Sequence, residues 1–276
     1  MTLPLPRLHA VTDDRVVGRG DVVARAAAMA DAAGASLAVH LRTRSLEGAA
    51  FLSLARELSA VLTSRGSWLA VNDRADVAHA ARAQAVVSGR GGLGVADLRR
   101  VAPSARIARS VHDAAEARRA ADDGADFLVA GNVYVTASHP GADSAGLDVV
   151  RTAAATGLPV IAIGGITAER TGGVLSAGAF GVAAIRALWD VADPAAAAQA
   201  FLRALPADDA VNVVINGETR RARRGITLAG LLADLALDAR AVVVEHNRHI
   251  VRRDDLDRAA VAEGDAIELV HFVGGG

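Results

Sequence analysis

The chain has 276 residues, enough for one large domain or for one large and one small domain. Hydrophobic residues make up 52% of it and aromatics only 3%, so a sizeable core must be built from Ala, Val, Leu and Ile. A net charge of -1 argues against nucleic-acid binding by phosphate neutralisation, and the lack of cysteine excludes disulfides, thiolate metal sites and cysteine nucleophiles.

The first residues, MTLPLPRLHAVTDD, lack a basic region followed by a long apolar run, and later apolar stretches are short and broken by charge. A cytoplasmic chain without signal peptide or membrane span is expected. Short β-branched runs then alternate with Ala-rich amphipathic stretches. Strands are expected at 8–12, 37–42, 68–72, 85–89, 106–111, 127–133, 159–165 and 180–185. Helices fall between them, at 21–33, 46–65, 75–82, 95–101, 113–122, 146–156, 168–177 and 194–204. Asp113, Thr167 and Asp193-Pro194 are start signals, and Gly34, Gly124, Gly157 and Gly178 are stops. About eight such units in some 200 residues is the count of a (β/α)8 TIM barrel, an α/β fold, with an open doubly wound sheet as the alternative on pattern alone. The barrel is assigned to residues 1–206.

After Pro206 the pattern changes. VNVVINGETRRARRG reads as two strands around a type I′ turn at Asn216-Gly217. A short helix capped by Thr227 comes next, then the strands AVVVEHN and AIELVHFV. This order suits a small α+β domain of the β-grasp, ubiquitin-like kind over 210–276, ending on Gly274-Gly275-Gly276. The basic run Arg220 to Arg224 has no aromatic platform beside it and reads as a solvated or protein-docking face. His79, His246, His249 and His271 read as structural or surface residues.

In a barrel the chemistry belongs at the C-terminal strand ends. Polar residues cluster there: Asp13-Asp14, His40, Arg42, Arg44, Asn72-Asp73, Ser88, Ser110, His112, Asn132, Thr136, Ser138 and His139. Gly164-Gly165 after strand seven and Ala184-Ile185 after strand eight are placed to offer backbone N–H groups to a phosphate, although paired glycines also make ordinary tight turns. His40 and Arg42 are two apart, so on a strand they share a side. An inward arginine without an anion is costly, which favours ligand contact. His112 either meets the ligand or caps the turn before its helix, and His139 either joins the site or lies on the surface.

LHAVTDD, VHLRTRS, VNDRADVA, IARSVHDAAEA, GADFLVAGNVYVTASHPG, PVIAIGGIT and GAFGVAAI, in this order, resemble the thiamine phosphate synthase superfamily over residues 8–205. The resemblance implies one of two activities. One is a synthase that joins a pyrimidine pyrophosphate to a thiazole phosphate with Mg2+; the other is a tautomerase that aromatises a carboxythiazole phosphate. Asn72-Asp73 match the synthase pattern. The loop after strand four, however, has no acid, His40 replaces a glutamine and His139 replaces a lysine. These departures, with His-x-Arg-x-Arg-Ser at 40–45 and Arg-Ser-Val-His at 109–112, point to the tautomerase branch, with no cofactor and no metal unless the synthase alternative holds. A barrel that only binds thiazole phosphate is the third reading. Asn132 stands where that branch has its proton-transfer histidine. Asparagine cannot take a proton near neutrality, so His40, His112 or His139 is expected to act, His40 first because it points to the barrel mouth.

VNVVINGE, TLAGLLADL, VVVEHN and GDAIELVHFVGGG resemble the ThiS-type sulfur-carrier proteins of thiazole assembly. The resemblance implies a thiocarboxylate on Gly276, reached through the slim Gly275-Gly276 tail. It implies as partners a ThiF-like adenylating enzyme and thiazole synthase, beside the thiazole phosphate ligand of the barrel. A frayed terminus on an ordinary β-grasp domain is the plain alternative.

Overall fold

The computed structural model describes residues 4–135, 145–205, 210–223, 225–235, 237–262 and 264–271. They form two compact units, one spanning Pro4–Leu205 and a second on its C-terminal side.

The first unit is a closed barrel of eight parallel strands in sequential order. The strands are β1 (Leu8–Val11), β2 (Leu37–Leu41), β3 (Trp68–Asn72), β4 (Ala85–Ser88), β5 (Arg106–Val111), β6 (Phe127–Ala130), β7 (Val160–Ile163) and β8 (Gly181–Ala184). Closure comes from Leu8, which aligns with Leu37 on β2 and with Val182 on β8. Around it run α1 (Asp14–Val17), α2 (Val22–Ala33), α3 (Gly48–Thr63), α4 (Ala75–Ala80), α5 (Val95–Val101), α6 (Ala114–Asp122), α7 (Asp148–Ala154), α8 (Thr171–Ser176), α9 (Arg186–Trp189) and α10 (Pro194–Ala204).

The strand bodies are apolar on both faces, which is why this sheet can be parallel and fully covered. Leu8, Val39, Leu41, Leu69 and Val71 belong to one buried cluster that includes helix residues such as Met29, Phe51 and Phe201. The alternate positions Val11, Ala38, Ala70, Val87, Phe127, Val129 and Ile161 make a second cluster that fills the barrel. Asp113 accepts the Glu116 N–H and Asp193 accepts the Ala196 N–H, capping α6 and α10 as expected. Thr167 does not cap: α8 begins at Thr171, because the residues before it form a turn in which the Thr167 carbonyl accepts the Arg170 N–H. The four-residue helices α1 and α9 are too short to carry a helical period and escaped the pattern.

The second unit is a five-stranded sheet in the order β10-β9-β13-β11-β12. Its elements are β9 (Ala210–Ile215), β10 (Glu218–Arg223), α11 (Leu228–Asp234), β11 (Val242–His246), β12 (His249–Val251) and β13 (Ala266–His271). Asn216 and Gly217 both have positive φ, as a type I′ turn requires. Its core is its own: Val211, Val213, Leu231, Leu232, Val244 and Ile267 pack together. This is the ThiS-like β-grasp expected, with one strand more. β12 was missed because it has three residues and comes after a turn, Asn247-Arg248, that lacks glycine. No helix among the described residues is long and apolar enough to cross a membrane.

Candidate functional site

A cavity of about 680 Å³ opens at the C-terminal ends of the barrel strands. His40, Arg42, Asn72, Ser110, His112, Asn132, Gly164, Gly165, Ala184 and Ile185 all line it. Arg186, which follows Ala184-Ile185 at the end of strand eight and was expected at the mouth with them, lines it too, as does Arg170, which carries no motif of its own in the sequence. Arg44 does not: its side chain is exposed, and its backbone N–H is spent on the Asp14 carboxylate at 2.6 Å, in a turn past the strand end. His139, Gly275 and Gly276 lie outside the described residues, as do Thr136 and Ser138.

His40 sits deeper than expected. It is 1% exposed, and its Nε2 lies 2.6 Å from Nδ1 of His9, an inward residue of β1 that is fully buried. His9 Nε2 is 2.9 Å from the Pro6 carbonyl. Burial lowers the His9 pKa to about 4, against a smaller opposing effect of the Pro6 hydrogen bond. Burial also pushes His40 well below the usual histidine range, and neighbouring His9 adds to this. Both rings are therefore neutral at pH 7. His9 was overlooked because a lone histidine in an apolar strand gives no signal until its neighbour is known. The pairing of β1 with β2 supplies that neighbour by placing Val11 beside His40.

Arg42 is held through its backbone, whose N–H and carbonyl both bond the Thr12 hydroxyl at 2.9 Å. Among the described residues no carboxylate pairs with its guanidinium. His112 lies at the opening of α6. Its Nδ1 and its backbone N–H both reach Oε2 of Glu116, at 3.0 and 2.9 Å, and Arg90 binds the other carboxylate oxygen. Burial acts to raise the Glu116 carboxyl, but the hydrogen bonds from His112 and Arg90 outweigh it and hold it below its ordinary range. His112 thus shapes the turn before α6 and also lines the cavity.

Two amides on the cavity wall are incomplete. Oδ1 of Asn72 and Nδ2 of Asn132 are buried without a hydrogen-bond partner. Such groups are rare and cost about 1–3 kcal/mol each, so these two amides stand in the wall at the expense of stability. Gly164 and Gly165 have φ of 110° and 62°. A Cβ at Gly164 would stand 2.1 Å from Asn132 Oδ1, and one at Gly165 would stand 2.9 Å from Tyr134 Cβ. The glycines are needed to seat the β6 loop against the β7 loop, and in doing so they bring Asn132 to the cavity. Arg170 closes the same corner, donating to the Gly165 carbonyl at 2.8 Å and stacking 4.8 Å above the Tyr134 ring.

Asp73 is exposed and its Oδ1 already accepts the Gly89 N–H at 2.8 Å. Ser88, the last residue of β4 before the loop that lacks an acid, gives its hydroxyl to the Leu93 carbonyl and receives Arg109. No group of three His, Cys, Asp or Glu among the described residues is placed to hold an ion.

The thiamine monophosphate synthase family model matches residues 8–188, and the ThiS family model matches 213–276. Thiamine-phosphate synthase of Methanoculleus marisnigri is 40% identical over 199 residues, which cover 70% of this chain and 92% of that protein. Thiamine-phosphate synthase of Streptomyces avermitilis is 40% identical over 171 residues, 60% of this chain and 80% of that one. A solved thiamine phosphate pyrophosphorylase from Pyrococcus furiosus superposes with a TM-score of 0.64 at 26% identity, covering 72% of this chain and 94% of its own. These relatives overturn the assignment to the tautomerase branch, since they carry the synthase name. The chain thus belongs to the thiamine monophosphate synthase family, an enzyme barrel joined to a ThiS-family β-grasp domain.

Proposed function

We propose that the barrel is a thiamine-phosphate synthase, a transferase that joins a pyrimidine pyrophosphate to a thiazole phosphate. The observation that supports it most is the 40% identity to a synthase along 92% of that protein, in a chain whose mouth cavity is lined by amides and arginines. The reaction forms a bond from the thiazole ring nitrogen to the pyrimidine methylene carbon, and breaks the bond from that carbon to pyrophosphate. A neutral ring nitrogen has no proton to lose. No general base is needed, which fits a cavity whose deepest histidine is neutral and whose Asn132 is inert.

The residues have three tasks under this reading. The Gly164-Gly165 turn and the start of α9 receive the thiazole phosphate, Arg42 and Arg186 face the pyrophosphate charge, and the side chains of Asn72 and Asn132 flank the rings. Positive groups placed where charge develops on the departing pyrophosphate lower the barrier. Mg2+ would neutralise the departing pyrophosphate; no set of three His, Cys, Asp or Glu among the described residues is placed to hold it by protein ligands alone. Incubating the full chain with both substrates and following pyrophosphate release tests the reading. Release matched by product is expected; a chain that binds both substrates and releases none is a binding scaffold.

For the second unit we propose sulfur carriage on the Gly276 carboxylate, with an adenylating enzyme and thiazole synthase as partners. The ThiS family match over 213–276 supports it. Intact mass after incubation with an adenylating enzyme, ATP and a sulfide donor should show oxygen replaced by sulfur; an unchanged mass contradicts it.

A further inference from the structure

The pair of buried histidines beneath the cavity fixes its own protons. The Pro6 carbonyl can only accept, so the ring nitrogen 2.9 Å from it, His9 Nε2, carries the hydrogen. A neutral His9 then has a lone pair on Nδ1. That lone pair lies 2.6 Å from His40 Nε2, so His40 must donate there and carries its hydrogen on Nε2. A neutral His40 with Nε2–H is left with a lone pair on Nδ1. No partner for that nitrogen stands among the described residues, and His40 lines the cavity. The opposite tautomer of His40 would set two lone pairs against each other 2.6 Å apart in a buried place, and an extra proton would put a charge on two rings that are 0% and 1% exposed.

We infer that His9 is a specificity-determining positioning residue: through the chain Pro6–His9–His40 it makes the His40 face of the cavity a hydrogen-bond acceptor, selecting ligands that present an N–H or O–H donor there. The β1–β2 pairing and the ring contact hold this arrangement, with the ring centroids 4.9 Å apart and edge-on and Phe127 also against His9. A ligand that brings an acceptor instead faces a lone pair and loses its water, so the site rejects as well as selects. Under the synthase reading, on which the ligand class rests, the donor is the exocyclic amine of the pyrimidine.

Two measurements test this on the full chain. Long-range proton–nitrogen correlation of the imidazoles, with no ligand present, should show His9 and His40 both as the Nε2–H tautomer. His9→Leu, which removes the acceptor, should release His40 to the Nδ1–H form, while His9→Asn, which keeps an oxygen near the Nδ1 position, should not. Wild-type His40 found with its hydrogen on Nδ1 would overturn the inference. Binding of the aminopyrimidine pyrophosphate should exceed that of its deamino analogue about tenfold in the wild type, the worth of one hydrogen bond. That preference should vanish in His9→Leu and persist in His9→Asn. An equal preference in His9→Leu would also overturn it. The spectrum needs no turnover, so a chain without synthase activity still decides the tautomer, and the two failures are told apart.

Discussion

Asn132 and Asn72 give up stability to stand in the cavity wall. Each leaves one buried polar atom unbonded in the cavity wall. Replacing Asn132 with Ala is therefore expected to leave the free chain at least as stable, or to raise its stability by about 1 kcal/mol, while weakening substrate binding about tenfold. Thermal unfolding and titration of the two proteins check both halves; a variant that binds normally would remove Asn132 from the site. The histidine pair supplies a pH signature at the same scale. His9 has an ordinary pKa of 6.5 when unfolded and about 4 when folded. Above 6.5 neither state is protonated. As pH falls from there toward 4, the unfolded chain takes up a proton that the folded chain refuses, so stability is lost on acidification. The loss is on the order of 3 kcal/mol for His9 alone, and His40 shifts the same way. Denaturant unfolding across this range should show the decline, and His9→Leu should reduce it.

Loops at the strand ends explain how much of the site was legible. Alternation and strand order were enough to place His40, Arg42, Asn72, Ser110, His112, Asn132 and the two glycines around one mouth, because every parallel strand delivers its C-terminal residue to the same end. Arg44 does not line the mouth because, three residues beyond β2, it is already in a turn whose direction no periodicity fixes. His9 and Arg170 were not legible for a related reason: their roles depend on the neighbouring strand or on the Tyr134 ring, not on their own spacing. The chemistry was misread where substitutions at His40 and in the β4 loop were taken as a change of reaction. Gly164 tests the loop packing. Its positive φ and the Asn132 side chain leave no space for a methyl group, so Gly164→Ala should cost about 2–4 kcal/mol and displace Asn132. Unchanged stability and binding would show that the two loops are not seated as described.

The whole chain joins two separate cores, one in and around the barrel and one in the β-grasp. Both tryptophans, Trp68 and Trp189, belong to the barrel, so their fluorescence reports on that unit alone. A chain cut after Leu205 should unfold with the same fluorescence midpoint as the full chain, and a large drop would mean that the barrel depends on the β-grasp unit for its stability. The central claim concerns what the barrel does. Its most direct test is a single-turnover reaction of the full chain with pyrimidine pyrophosphate and thiazole phosphate, with and without Mg2+, measuring thiamine phosphate and pyrophosphate together. Equal amounts of both products are predicted. Occupied substrate sites with no pyrophosphate released under either condition would contradict it.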